Sequence, residues 1–116
     1  MSITLGVVMD PIATIKPYKD TTLALLLAAQ AKGWALYYME QADMYLDQGI
    51  ALAQVRPLKV MDDNDHWFEL GEARAMPLGE LDTILMRKDP PFDSEFIYST
   101  YILEAAQDQG ALVVND

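Results

Sequence analysis

Two apolar, β-rich runs, ITLGVVM at 3–9 and ALYYM at 35–39, stand on either side of a helix-forming segment, and this spacing constrains the fold more than any other feature. Strand, helix and strand within about 40 residues define a βαβ unit, which closes right-handed with parallel strands. Asp20 or Thr21 can cap the helix over 22–32, because either side chain offers an oxygen to the free amides of the first turn. Gly33 follows where a helix ends in a left-handed residue. The pattern recurs near the end of the chain. DTILM at 82–86 reads as a strand, Asp93 or Ser94 can cap a helix running to about Gln109, and Gly110 precedes a closing strand, ALVVN, at 111–115. Phe96, Ile97, Tyr101, Ile102 and Ala105 recur at helical spacing and are expected to form that helix's core face.

The middle is less regular. Residues 44–55 read as a hairpin turning on Asp47, Gln48 and Gly49, and residues 56–70 as an extended piece, an acidic loop and a further strand. The expected fold is therefore α/β: one small three-layer domain over 1–116, with a mainly parallel sheet (two βαβ units) and an irregular, hairpin-containing middle segment. A parallel sheet normally continues into another element after such a closing strand, so a domain boundary is expected at the end of the chain.

With 52% hydrophobic and 22% charged residues, the chain is globular rather than disordered. Its length allows roughly two-thirds of the unfolded surface to be buried. A net charge of −10 with no basic cluster argues against nucleic acid or an anionic membrane as partner. The absence of cysteine removes disulfides, thiolate catalysis and zinc–thiolate sites. The amino terminus has no basic region and only a short apolar run, and LALLLAA at 23–29 is far below the ~18 residues of a bilayer span. A cytoplasmic protein is expected.

Chemistry has few places to reside. The first strand ends in Met9-Asp10-Pro11 and the late strand in Met86-Arg87-Lys88-Asp89-Pro90, so both polar clusters are expected beyond the carboxyl ends of parallel strands, where open α/β sheets bind ligands. Arg87 offers a planar fork for a carboxylate or phosphate and Lys88 a point charge, while Asp10 and Asp89 could hold an ammonium group or orient the arginine. Pro90 and Pro91 stiffen the loop, lowering the entropy cost of ordering it. The same residues also suit a plain turn with a surface ion pair, and the residues alone leave both readings open. His66, the single histidine, fits a partly buried or surface position better than catalysis. Asp62, Asp63, Asn64 and Asp65 lack the glycine and distal carboxylate of a calcium loop and read as a solvated loop. Tyr37, Tyr38, Met39, Met44 and Met86 read as core filler. No glycine-rich phosphate fingerprint follows the first strand, and no nucleophile–base pair is visible, so no catalytic residue and no metal ligand is expected in this chain.

LGVVMDPI, LLLAAQAKGW with ALYYME, ILMRKDPPFDSEFIYSTYILE and LVVND together resemble the prokaryotic glutathione synthetases, from Thr4 to the last residue and least distinctively over 50–77. The resemblance implies the N-terminal domain that precedes an ATP-grasp fold, in a ligase joining γ-glutamylcysteine to glycine through an acyl phosphate. ATP and Mg2+ would be bound by domains missing from this chain, and the fragment alone would be inactive. The implied partners are the two substrates, those later domains and further copies in a homo-oligomer. Carried over by position, Asp10, Pro11, Arg87, Lys88, Asp89 and Pro90 would line the peptide-substrate side, with Arg87 the strongest contact and Tyr98 a further candidate. Two other classes compete: a stand-alone small-carboxylate binding module and an oligomerisation domain.

Overall fold

The computed structural model describes residues 3–16, 19–87 and 94–115. At its centre, β1 (Thr4–Val8) pairs in parallel with β2 (Ala35–Met39) on one side and β7 (Thr83–Met86) on the other, and β7 pairs in parallel with β8 (Leu112–Asn115). Helix α1 (Thr21–Ala31) connects β1 to β2, and α2 (Ser94–Asp108) connects β7 to β8. Both helices end as the sequence demands: Gly33 and Gly110 adopt φ of +86° and +119°, which a side chain would oppose. Asp20, not Thr21, caps α1, its Oδ1 accepting from the amides of Thr22 at 2.7 Å and Leu23 at 3.1 Å.

Strand alternation sends side chains to two cores. Leu5, Val7, Met9, Leu36 and Tyr38 pack with Leu23, Leu26 and Ala29 of α1. Val8, Met39, Ile84 and Met86 pack with Ile102 and Ala106 of α2. The helices therefore cover opposite faces, giving three layers. Full burial of a residue such as Leu26 or Ile102 contributes about 1.5–3 kcal/mol.

The middle segment departs from the expectation of a mainly parallel sheet composed of two clean βαβ units. The eight strands form one mixed, curled sheet in which, among the described residues, three pairings are parallel and four antiparallel. The cause is β4 (Ile50–Val60), an 11-residue strand antiparallel to every neighbour. Its first half lies between β3 (Met44–Asp47) and β6 (Arg74–Pro77), its second between β2 and β5 (Phe68–Leu70). Ala51, Ala53 and Val55 enter the α2 core, whereas Leu58 and Val60, of opposite parity, enter the α1 core. One strand thus serves both faces, and β3–β4 folds over α2 instead of merely extending the sheet edge. The hairpin itself turns where expected, with φ of +51° at Gln48 and +81° at Gly49.

The α2 core face also needs correction. Ser99, Ile102 and Ala106 are buried and Ala105 is partly buried, while Tyr101 is 58% exposed. The buried stripe is one step around the helix from that expected, because the β3–β4 hairpin is a second surface for α2 to pack against. Side chains of Phe96 and Ile97 lie outside the described set.

Candidate functional site

The four parallel strands end in register. Val8 lies between Met39 and Met86, and Met86 pairs with Asn115. The two ladders of β1 extend one residue further: the Met9 amide donates to the Met39 carbonyl at 3.2 Å, and the Arg87 amide to the Val8 carbonyl at 2.9 Å. Asp10, Glu40 and Arg87 therefore leave the sheet along one edge, on strands spaced about 4.8 Å apart. The amino terminus of α1 meets the same edge.

Arg87 is half-buried and tied to that helix. Its Nε donates to Thr22 Oγ1 at 3.0 Å and its Nη2 to Thr21 Oγ1 at 2.8 Å. Two of a guanidinium's five donors are thereby oriented by hydroxyls. A cation beside a helix amino terminus is opposed by the helix dipole, and the capping carboxylate of Asp20 one residue away offsets this.

Asp10 and Pro11 are exposed. Pro11 opens a 3-10 turn, Ile12–Thr14, and its carbonyl accepts from the Thr14 amide at 2.9 Å and hydroxyl at 2.6 Å. Behind them Ile12 is buried, with both of its backbone polar groups held by distant side chains. The Ile12 amide donates to the Tyr38 hydroxyl at 3.2 Å, and Trp67 Nε1 donates to the Ile12 carbonyl at 3.1 Å. The Tyr38 hydroxyl in turn donates to Glu40 Oε2 at 2.5 Å. Burial first, then the bond to Glu40, pushes the Tyr38 phenol far above its ordinary pKa, so it keeps its proton. Glu40 is fixed by a reciprocal cap with Asp43, whose Oδ2 accepts from the Glu40 amide at 2.8 Å.

Of the sequence candidates, the structure brings Asp10, Pro11 and Arg87 to one edge. Lys88, Asp89 and Pro90 lie outside the described residues, as do Pro91 and Asp93. Tyr98 is engaged elsewhere: its hydroxyl accepts from the Leu46 amide of β3 at 3.0 Å. His66 is exposed, with Nε2 3.5 Å from Glu69 Oε2. Among the described residues no group of three or more potential ligands could hold a metal ion, and no helix is long and apolar enough to cross a membrane.

Sequence reasoning missed Tyr38, Glu40, Trp67 and the threonine pair. The available signal was the pair Tyr38 and Glu40, two apart and so on one face of the sheet at a strand end, where a phenol can reach past the last residue.

Residues 3–116 match the family described as prokaryotic glutathione synthetase, N-terminal domain. The glutathione synthetase of Pseudomonas putida is 64% identical over 115 residues, that of Pseudomonas aeruginosa 63% over 115, and that of Shewanella oneidensis 58% over 113. These alignments take in 99%, 99% and 97% of the chain but 36% of each relative, so the chain spans about a third of their length. The chain belongs to the family of prokaryotic glutathione synthetase N-terminal domains.

Proposed function

We propose that this chain is the substrate-side domain of an ATP-dependent ligase that joins γ-glutamylcysteine to glycine, acting in the cytoplasm, and that Asp10, Pro11, Arg87, Lys88, Asp89 and Pro90 form the part of the peptide site it contributes, Tyr98 being occupied by β3 instead. The observation that carries this reading is the 64% identity to a glutathione synthetase across 99% of the chain. The local chemistry agrees with it. γ-Glutamylcysteine has two carboxylates and one ammonium. Arg87, oriented by Thr21 and Thr22 at the amino terminus of α1, presents a planar guanidinium suited to a carboxylate. Asp10, two residues beyond the end of the neighbouring β1, is a counterpart for an ammonium.

ATP and Mg2+ are assigned to other domains: among the described residues no group of three or more potential ligands could hold a metal ion, and no glycine-rich phosphate fingerprint follows β1 in the sequence. Both would be held by ATP-grasp domains of a longer protein, and this domain would bind and orient the peptide against them, within a homo-oligomer.

The test is direct. The protein encoded by the complete reading frame is purified and supplied with γ-glutamylcysteine, glycine, ATP and Mg2+. Glutathione and ADP should form in equal amounts, and residues 1–116 alone should form none. A folded full-length protein that makes no glutathione overturns the reading.

A further inference from the structure

We infer that Tyr38 and Trp67 are positioning residues for the peptide-substrate loop, which they hold by clamping the backbone of Ile12 from both sides; this rests on the ligase reading above. Asp10 and Pro11 occupy the whole interval between two anchored residues. On one side, Met9 is bonded through its amide to the Met39 carbonyl at 3.2 Å. On the other, Ile12 is 2% exposed, with its amide on the Tyr38 hydroxyl at 3.2 Å and its carbonyl receiving Trp67 Nε1 at 3.1 Å.

The origin of these partners matters. The first amide of a helical turn has no partner within the turn, and a buried one must find another. Here it comes from β2, and the carbonyl, which also accepts from the Ile15 amide at 3.4 Å, is met by the loop before β5, 26 and 55 residues distant in sequence. The hydroxyl direction is also set. Because Tyr38 donates to Glu40, a lone pair is left facing the Ile12 amide, and Glu40 is itself held by its cap with Asp43. A chain of fixed groups thus runs from Asp43 through Glu40 and Tyr38 to Ile12.

Its product is an exposed aspartate–proline pair held between two hydrogen-bonded residues. Burial and packing do not require that of a surface dipeptide. Recognition does: a loop ordered beforehand loses little entropy when a ligand arrives, and a small misplacement of a positioning group is costly in rate. Neither side chain needs to touch the substrate to act in this way.

The test uses the full-length protein and the variants Tyr38→Phe and Trp67→Phe, each of which removes one bond and keeps most of the bulk. The readouts are KM for each substrate, kcat, Tm and deuterium exchange of the peptide spanning 9–14. With an active wild-type enzyme, each variant should exchange faster over 9–14 and raise KM for γ-glutamylcysteine about fivefold to tenfold, with kcat within about twofold and KM for ATP unmoved. Unchanged KM for the dipeptide overturns the positioning role, whether exchange rises or only Tm and kcat fall. Should Tyr38→Phe not fold, Trp67→Phe decides, since that side chain is only half-buried. A wild-type protein that makes no glutathione overturns the ligase reading instead; faster exchange in the variants then still supports the clamp, and unchanged exchange overturns it.

Discussion

The side chain of Gln30 is joined to the backbone of Val60 by two hydrogen bonds: Nε2 donates to the Val60 carbonyl at 2.7 Å, and Oε1 accepts from the Val60 amide at 2.9 Å. The carboxamide stands in for a neighbouring strand at the last residue of β4, on the edge where β2 no longer reaches. It thereby ties the end of β4 to α1. Gln30→Ala should lower stability by about 1–3 kcal/mol, since a partly buried amide and carbonyl lose their partners. The urea midpoint of the 116-residue chain reads this. A shift worth less than about 0.3 kcal/mol would mean that water replaces both bonds without loss.

How much of this was legible in the sequence depends on whether a feature is local. The strand–helix–strand stretches were readable because their periodicity, the Asp20 cap and Gly33 and Gly110 act within a few residues. The double duty of β4 was not. Ala51, Ala53 and Val55 alternate in one phase and Leu58 and Val60 in the other, and the change across Arg56-Pro57 resembles the end of a strand until both cores are seen. β6 went unread because RAMP carries little strand preference and is held by its partner β4. At the candidate site, position on the sheet edge could be anticipated from topology, while the partners of Arg87 could not, since Thr21 and Thr22 lie 66 and 65 residues away.

Glycine substitutions should rank by what the added carbon meets. At Gly79 it would lie 2.7 Å from both the Cβ and the backbone carbonyl oxygen of Gln109, whose side chain also holds the Gly49 carbonyl and the Ala51 amide. At Gly6 it would meet the side-chain ends of Leu81 and Met39, at 2.6 and 2.9 Å. Side-chain ends can turn aside, whereas the backbone at the end of α2 cannot move without disturbing the β3–β4 turn. Gly79→Ala should therefore cost about 3 kcal/mol and Gly6→Ala about 1–2. Thermal unfolding of the two variants settles the order; a more stable Gly79→Ala would contradict it.

Alkaline stability should carry the signature of Tyr38. Its folded pKa is raised far above the value of about 10 that a tyrosine has in the unfolded chain. Above that pH the unfolded state releases the proton while the folded state keeps it. The folded state then binds more protons, and stability falls as pH rises. The contribution is complete below pH ~10 and declines above it. Tyr38→Phe abolishes this component, so the stability difference between wild type and variant should shrink between about pH 9 and 11. Urea midpoints across that range measure it; parallel curves would show that Tyr38 titrates normally.

Arg87 separates holding from binding. Its two threonine contacts orient the guanidinium at the amino terminus of α1, and the proposed function adds a substrate carboxylate. Arg87→Ala in the full-length protein should lower kcat/KM for γ-glutamylcysteine by the equivalent of ~1.5–3 kcal/mol, the worth of a charged hydrogen bond. Arg87→Lys should recover less than half of that, because an ammonium is a point charge and cannot span two hydroxyls while presenting a planar fork. Thr22→Val, which keeps the shape and removes the acceptor for Nε, should fall between wild type and Arg87→Ala in kcat/KM. If instead Arg87→Ala lowers Tm while kcat/KM for the dipeptide holds, the arginine only joins β7 to α1, and the substrate carboxylate has its partner elsewhere.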